Sequence, residues 1–230
     1  MIKKLVDDIN PDLYCYDTGL TFAKDQAMNI LDQVTKDESF FRERQNYNKG
    51  RNVKELIKKI GKEKTLELMR RRKQYEDLYP GQQPIFFRQY FLDNKLGEDL
   101  LKAVPEWLKI NSTEPDPMLQ VSDSGDLLPT HKGHFRKCSL FMLLKSDGQE
   151  TCWYRKTQDF EIIDELRIPD LDKIEKVVSV VMEPFRWYMF NHYEWHSVHK
   201  FNQGSQRISI GIDYNSIFSD QLLSLIKANS

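Results

Sequence analysis

Apolar residues change their spacing near residue 115. Before that point they recur every three or four positions: Ala23, Ala27, Ile30, Leu31 and Val34 share one helical face, and Val53, Leu56, Ile57 and Ile60 share another. YPGQQP (79–84) interrupts the pattern with two prolines and a glycine, and Leu96, Leu100, Leu101 and Val104 resume it before Pro105. After STEPDP (112–117) the runs are short and apolar or alternating: KCSLFMLL, VVSVVME, WYMFN and RISIGIDY, separated by polar turns such as KSDGQE. Strands in succession without helices between them predict a sandwich or small barrel. DELRIPDLDKIEK (164–176) reads as a loop or short helix, and SDQLLSLIKA predicts a capping helix from Ser219 or Asp220. The expected organisation is a helical region, 1–115, bracing a β core with a C-terminal helix, 116–230.

Composition narrows the function classes. A chain of 230 residues with 40% hydrophobic and 30% charged side chains can bury a sizeable core, and its net charge of −1 argues against wrapping a polyanion. No apolar run approaches the roughly 20 residues of a membrane span. The N-terminus lacks a long apolar signal region, and the three cysteines form no CxxC pair, so a reduced cytoplasmic setting is expected. Residues 49–73 are strongly basic, but Glu55, Glu63 and Glu67 are interspersed and no aromatic residue is present for base stacking. A solvated helix face is expected there rather than a nucleic-acid contact.

The candidate chemistry sits in two histidine clusters. His192, His196 and His199 lie in NHYEWHSVHKF (191–201), and His131 and His134 in PTHKGHFRK (129–137), which accounts for every histidine in the chain. His192 and His196 are four apart, as in a zinc-protease helix, but Tyr193 follows the first histidine where that motif needs glutamate, and the flanks read as strands. Read as strands, His131 and Gly133 share a face and His134 takes the other. In RISIGIDY, Ile208, Ile210 and Ile212 form an apolar face opposite Arg207, Ser209, Gly211 and Asp213. That polar face is wet on an open sheet. In a closed barrel it lines a cavity where Arg207 grips a carboxylate with two prongs, Ser209 adds a hydroxyl bond and Gly211 leaves space.

The order of these motifs from about residue 118 to 215 resembles the double-stranded β-helix (jelly-roll, cupin-like) core of the iron(II)/2-oxoglutarate-dependent oxygenases. That family's signature is H-x-D, a distal histidine, then R-x-S. Here His131-Lys132-Gly133 stands at the first position, WHSV supplies His196, and Arg207 and Ser209 follow eleven and thirteen residues later. Arg136 and EPFRWYMFNHYEWHSV also resemble members from bacteria and their phages. The resemblance implies a mainly β fold with α, in which His131 and His196 are metal ligands to iron(II). Arg207 and Ser209 would bind the distal carboxylate of 2-oxoglutarate, whose keto-acid end chelates the metal. It implies a dioxygenase that couples oxidative decarboxylation of 2-oxoglutarate to oxidation of a substrate C–H bond. The substrate would be a small molecule or a protein side chain, with neither nucleic acid nor membrane as partner. Gly133, Arg136, Asn191 and Glu194 are the further candidates for substrate contact or for support of the ligands.

Gly133 departs from the family pattern, because it has no carboxylate. Four readings follow. An H-x-G pattern similar to this one occurs in the aspartyl/asparaginyl β-hydroxylase branch, where two histidines suffice. In the halogenase branch a small residue leaves room for chloride. Glu194 is the nearest substitute carboxylate in sequence. Finally, a member that has lost its chemistry would act as a ligand- or protein-binding module. His134 and His199 read as surface or supporting residues, and His192 as a donor to a neighbouring carbonyl.

Overall fold

The computed structural model describes residues 10–36, 41–46, 53–78, 83–84, 86–92, 95–102, 104–109, 117–122, 126–133, 136–163, 168–199 and 204–230. Twelve strands among them form two sheets. In chain order they are β1 (Cys15–Thr21), β2 (Phe41–Asn46), β3 (Gln83–Pro84), β4 (Phe86–Phe91), β5 (Met118–Ser122) and β6 (Asp126–His131). They continue with β7 (Cys138–Lys145), β8 (Glu150–Lys156), β9 (Ile174–Val180), β10 (Arg186–Asn191), β11 (Trp195–His199) and β12 (Arg207–Tyr214). The larger sheet has the order β1-β10-β7-β12-β5-β4-β2 and the smaller one β3-β6-β11-β8-β9. All pairings are antiparallel except β3 with β6. From β5 onward every consecutive pair of strands except β8–β9 passes from one sheet to the other, which makes the core a jelly roll.

The two faces of β12 explain the arrangement. It is a central strand, flanked by β7 and β5, and nearly all of it is buried. Ile208, Ile210 and Ile212 join Leu140, Met142 and Leu144 of β7 on the outer face, where helices cover them. Those helices are α1 (Lys24–Lys36), α4 (Lys95–Lys102), α5 (Glu106–Lys109) and α6 (Ser219–Asn229). Ala27, Ile30, Leu100, Leu108, Leu222 and Ile226 are their buried contributions to that cluster. Each leucine or isoleucine among them contributes roughly 1.5–3 kcal/mol by leaving water. The inner face belongs to a second cluster, Phe141, Leu143, Trp153, Met182, Tyr188 and Phe190, which bridges the two sheets. Arg207 reaches across this interior to Thr151 on β8, so the polar face of β12 looks into the barrel.

α2 (Val53–Ile60) and α3 (Lys62–Leu78) form the helical pair expected over the basic segment. α3 is anchored by charge and not by basic excess. Arg70 bonds Asp170 at 2.7 Å and also Glu67, while buried Arg71 donates to the carbonyls of Glu161 and Ile168. Hydrogen bonds, that from Arg70 above all, hold the Glu67 carboxyl down at about 2. Tyr75 donates to the carbonyl of Thr130, one residue before His131, which ties this helix to the end of β6.

The structure departs from the sequence reading in several places. Residues 1–115 are not helical throughout: β1 pairs with β10, β4 pairs with β5 and β2 with β4, so three strands of the larger sheet come from this region. HKGHFRKCSLFMLL is not one strand, since β6 stops at His131 and β7 starts at Cys138. The strand seen in VVSVVME begins earlier, at Ile174. The proline-rich break at 79–82, and His134, lie outside the described residues.

Candidate functional site

His131, the last residue of β6, and His196 on β11 are register partners across the smaller sheet. Their ring centres are 4.3 Å apart and tilted by 55°. His196 Nδ1 donates to the carbonyl of Glu194 at 2.9 Å, which fixes the tautomer with a lone pair on Nε2. His196 is buried, and burial holds its pKa well below the ordinary imidazole value, with His131 adding to the depression. A neutral imidazole is the form that ligates metals.

His192 belongs to the same group. Its ring lies edge-on to His196 at 5.2 Å and over Phe190 at 4.5 Å. Burial, and then Arg136, His196 and His131, push its pKa well down. Nε2 meets the Ser139 hydroxyl at 2.9 Å, whereas Nδ1 is buried without a hydrogen-bond partner. The sequence reading gave His192 a backbone carbonyl as partner; the partner is a side chain on β7.

Gly133 is held where no side chain fits. Its N–H donates to the His192 carbonyl at 2.7 Å. A Cβ at this position would meet the carbonyl oxygens of Arg136 and His192 at 2.8 Å each, and His192 Cβ at 3.0 Å. An H-x-D carboxylate is therefore not merely missing but excluded by backbone.

Arg207 is the other pole of the interior. It is 5% exposed, its Nη2 donates to Thr151 Oγ1 at 3.1 Å, and its guanidinium carbon lies 5.7 Å from the Phe141 ring centre. Nη1 is buried and unpartnered, and no carboxylate pairs with Arg207 among the described residues. Burial pulls its pKa down to about 10. Ser209 is buried one alternation further along the same face. Thr151 is the register partner of Val198, two residues from His196 along β11, or about 7 Å of strand.

The remaining candidates have other partners. Arg136 lies 3.6 Å from Asp213 in an ion pair. Asn191 shapes the turn between β10 and β11: its Oδ1 accepts from the N–H groups of Tyr193 and Glu194, and its Nδ2 donates to the Leu13 carbonyl. Glu194 precedes β11 in a bend, instead of sharing a strand face with His196, and meets that residue through its backbone carbonyl. His199 is buried beside Tyr154 and Ser197, and is not a surface group. Cys138 and Cys152 are buried, as small apolar residues would be, and the three cysteines are unpaired. Thr151 and Ser139 escaped the sequence reading. The alternation in ETCWYRK, with a threonine on the tryptophan's face, was the available signal for the first of them. Among the described residues no three His, Cys, Asp or Glu side chains already converge as a metal set, and no helix is long and apolar enough to cross a membrane.

No known family profile matches the sequence, and neither does any curated protein. Solved structures do resemble the fold. An X-ray structure of Escherichia coli ycfD aligns with a TM-score of 0.37 and 12% identity over 62% of this chain and 37% of that one. The Escherichia coli ribosomal oxygenase YcfD in complex with cobalt and 2-oxoglutarate aligns with a TM-score of 0.35 and 12% identity, covering 60% and 34% of the two chains. Its complex with cobalt and succinic acid gives the same values. The chain thus spans about a third of the length of these structures.

Proposed function

We propose that this chain is an iron(II)/2-oxoglutarate-dependent oxygenase that oxidises a small molecule or a protein side chain. Arg207 carries the reading. A guanidinium that is buried, held on one side by Thr151 and open at Nη1 without a carboxylate costs several kcal/mol unless an anion joins it. A carboxylate from a ligand is the natural complement, because the planar fork accepts two oxygens in parallel. The register pair His131 and His196 supports a metal position, and Arg207 is bonded to Thr151, whose register partner Val198 lies two residues from His196 along β11.

In this reading His131 and His196 hold iron(II), with Glu194 keeping the His196 imidazole in the required tautomer. Arg207 and Ser209 take the distal carboxylate of 2-oxoglutarate, and Thr151 orients the fork. Phe141, Trp153 and Phe190 exclude water from the interior, which strengthens each of these polar contacts. The bound metal and cosubstrate, with dioxygen, would supply the oxidising chemistry. The halide reading gains no support, since the side-chain direction of Gly133 ends on backbone. The same closure favours one second reading, a noncatalytic member that uses Arg207 to bind a carboxylate ligand.

Anaerobic titration with iron(II) and 2-oxoglutarate tests the proposal. A visible charge-transfer band is expected in the unaltered protein and not in His131→Ala or Arg207→Ala. Binding of 2-oxoglutarate without a band selects the noncatalytic reading, and no binding of either component sinks both.

A further inference from the structure

We infer that Gln149 and Ser205 complete, with Arg207 and Thr151, a donor-lined pocket for the distal carboxylate of the cosubstrate, and so decide which keto acids the site accepts. The inference rests on the 2-oxoglutarate site proposed above and adds to it two residues that the R-x-S motif does not contain.

The place of these residues comes first. The two turns that open β8 and β12 are bonded to each other, since Asp147 accepts from the Gln206 N–H at 3.0 Å. Just beyond them the Arg207–Thr151 bond joins the same two stretches of chain a second time. Gln149 and Ser205 lie beside these links, two residues before Thr151 and Arg207 respectively, the spacing that returns a side chain to the same face of a strand. From there β8 continues through Thr151 to Trp153, the register partner of His196. Gln149 thus precedes Thr151 on the side away from the histidines, where the far end of a bound acid would lie.

Burial and bonding leave these groups with one unmet need. Gln149 is 0% exposed and Ser205 5%, and Gln149 Nε2, Ser205 Oγ and Arg207 Nη1 are all buried without a hydrogen-bond partner. Native structures rarely leave one such atom unsatisfied, and here three belong to two linked turns. The amide cannot turn round to relieve itself. Its Oε1 accepts from the Asp147 N–H at 2.9 Å and from the Ser146 hydroxyl at 2.8 Å, and a backbone N–H can only donate. Nε2 therefore faces away from its own turn with its protons unused. Thr151 accepts from Arg207, which leaves its hydroxyl proton to give. Such a set suits a carboxylate, whose two oxygens only accept and offer about four lone-pair sites. A keto acid ending in a methyl group would leave every one of these donors unmet.

Calorimetry of 2-oxoglutarate binding to the cobalt(II)-loaded protein under anaerobic conditions tests this without relying on turnover. 2-Oxobutyrate, which keeps the keto acid and lacks the distal carboxylate, is the second probe. Gln149→Glu keeps an oxygen for Asp147 and Ser146 and puts a second one where the amide nitrogen stood. It should weaken 2-oxoglutarate binding at least 100-fold, because two carboxylates would then share the pocket. The ligand-free variant should melt at or above the temperature of the unaltered protein, because Arg207 gains an internal anion. Ser205→Ala should weaken 2-oxoglutarate binding about 3–10-fold, and 2-oxobutyrate should bind all three proteins alike. Three results would each overturn the inference: 2-oxoglutarate affinities of both variants within threefold of the unaltered protein, an equal loss for 2-oxobutyrate, or a lower melting temperature for Gln149→Glu. The unmet donors would then belong to ordered water, and Arg207 would hold the carboxylate without them. Failure of the unaltered protein to bind 2-oxoglutarate would overturn the proposed function as well.

Discussion

Replacing Gly133 with alanine isolates the contact that sets this site apart. The added Cβ would sit 2.8 Å from two carbonyl oxygens and 3.0 Å from His192 Cβ. None of these is the free end of a flexible side chain, so the backbone at 133, 136 or 192 must move. Overpacking of this kind costs about 1–3 kcal/mol. The 2.7 Å hydrogen bond from Gly133 N–H to His192 would stretch or break, adding about 0.5–1.5 kcal/mol. The sum, about 2–4 kcal/mol, corresponds to a drop in melting temperature of roughly 5–15 °C for a chain of this size. Gly211→Ala is the matched control. It too is buried on the inner face, but its nearest neighbours lie 3.9 Å away or more, so its change should stay within about 0.5 kcal/mol. Urea denaturation of the metal-free proteins measures both. Gly133→Asp should be at least as destabilised as Gly133→Ala, and should bind cobalt no more tightly than the unaltered protein. Gly133→Ala melting with the unaltered protein would refute the reasoning, and a gain in metal affinity for Gly133→Asp would show that position 133 is open after all.

Other perturbations follow from the same structure. Arg207→Met removes an unpaired buried charge, so the ligand-free protein should be as stable as before or up to about 2 kcal/mol more so, while 2-oxoglutarate binding, followed by calorimetry, falls at least 100-fold. A less stable Arg207→Met would point to a partner for the guanidinium within the protein. His192 and His196 stay neutral when folded, with pKa values well below the 6.5 they have unfolded. Below pH 6.5 the unfolded chain therefore binds protons that the folded one refuses, and stability of the metal-free protein should fall as pH drops, by up to about 2.7 kcal/mol per unit for the two together. A flat urea midpoint between pH 7.5 and 5.5 would contradict this. Asp170→Ala strips Arg70 and Gln74 of a partner whose side chain is 5% exposed, and should cost about 1–3 kcal/mol in the same denaturation assay. A change under about 0.5 kcal/mol would show that α3 is held by its apolar contacts alone.

The inner face of β12 was legible because RISIGIDY alternates two unlike sets of side chains. Knowing which set faced inward needed only the idea of a closed barrel. His131 and His196 were legible from motif order, being the end of one strand and the second residue of another. The strands within residues 1–115 were not. CYDTGLT carries an aspartate and a glycine, both depleted in strands, at its centre and shows no regular apolar alternation, and it is a strand because β10 offers it a ladder from far along the chain. The meaning of Gly133 was hidden for a similar reason. As a letter it marks a missing ligand; in space it marks two carbonyls closing in, and one of them belongs to His192. Local pattern carries no record of such a meeting.

The pairing of β1 with β10 also bears on the order in which the molecule assembles. Asn191, which shapes the turn carrying His192, is bonded to the Leu13 carbonyl across 178 residues of chain. Both strands that hold the turn in place have their partners far away in sequence, and closing such long loops makes folding slow. During synthesis the first strand must therefore wait as an unpaired edge until most of the chain has left the ribosome. The histidine group and the arginine fork come into register only at the end of that wait. Any metal the site takes would then load onto the finished protein, since a nascent chain stalled before residue 186 holds only two of the five histidines, His131 and His134.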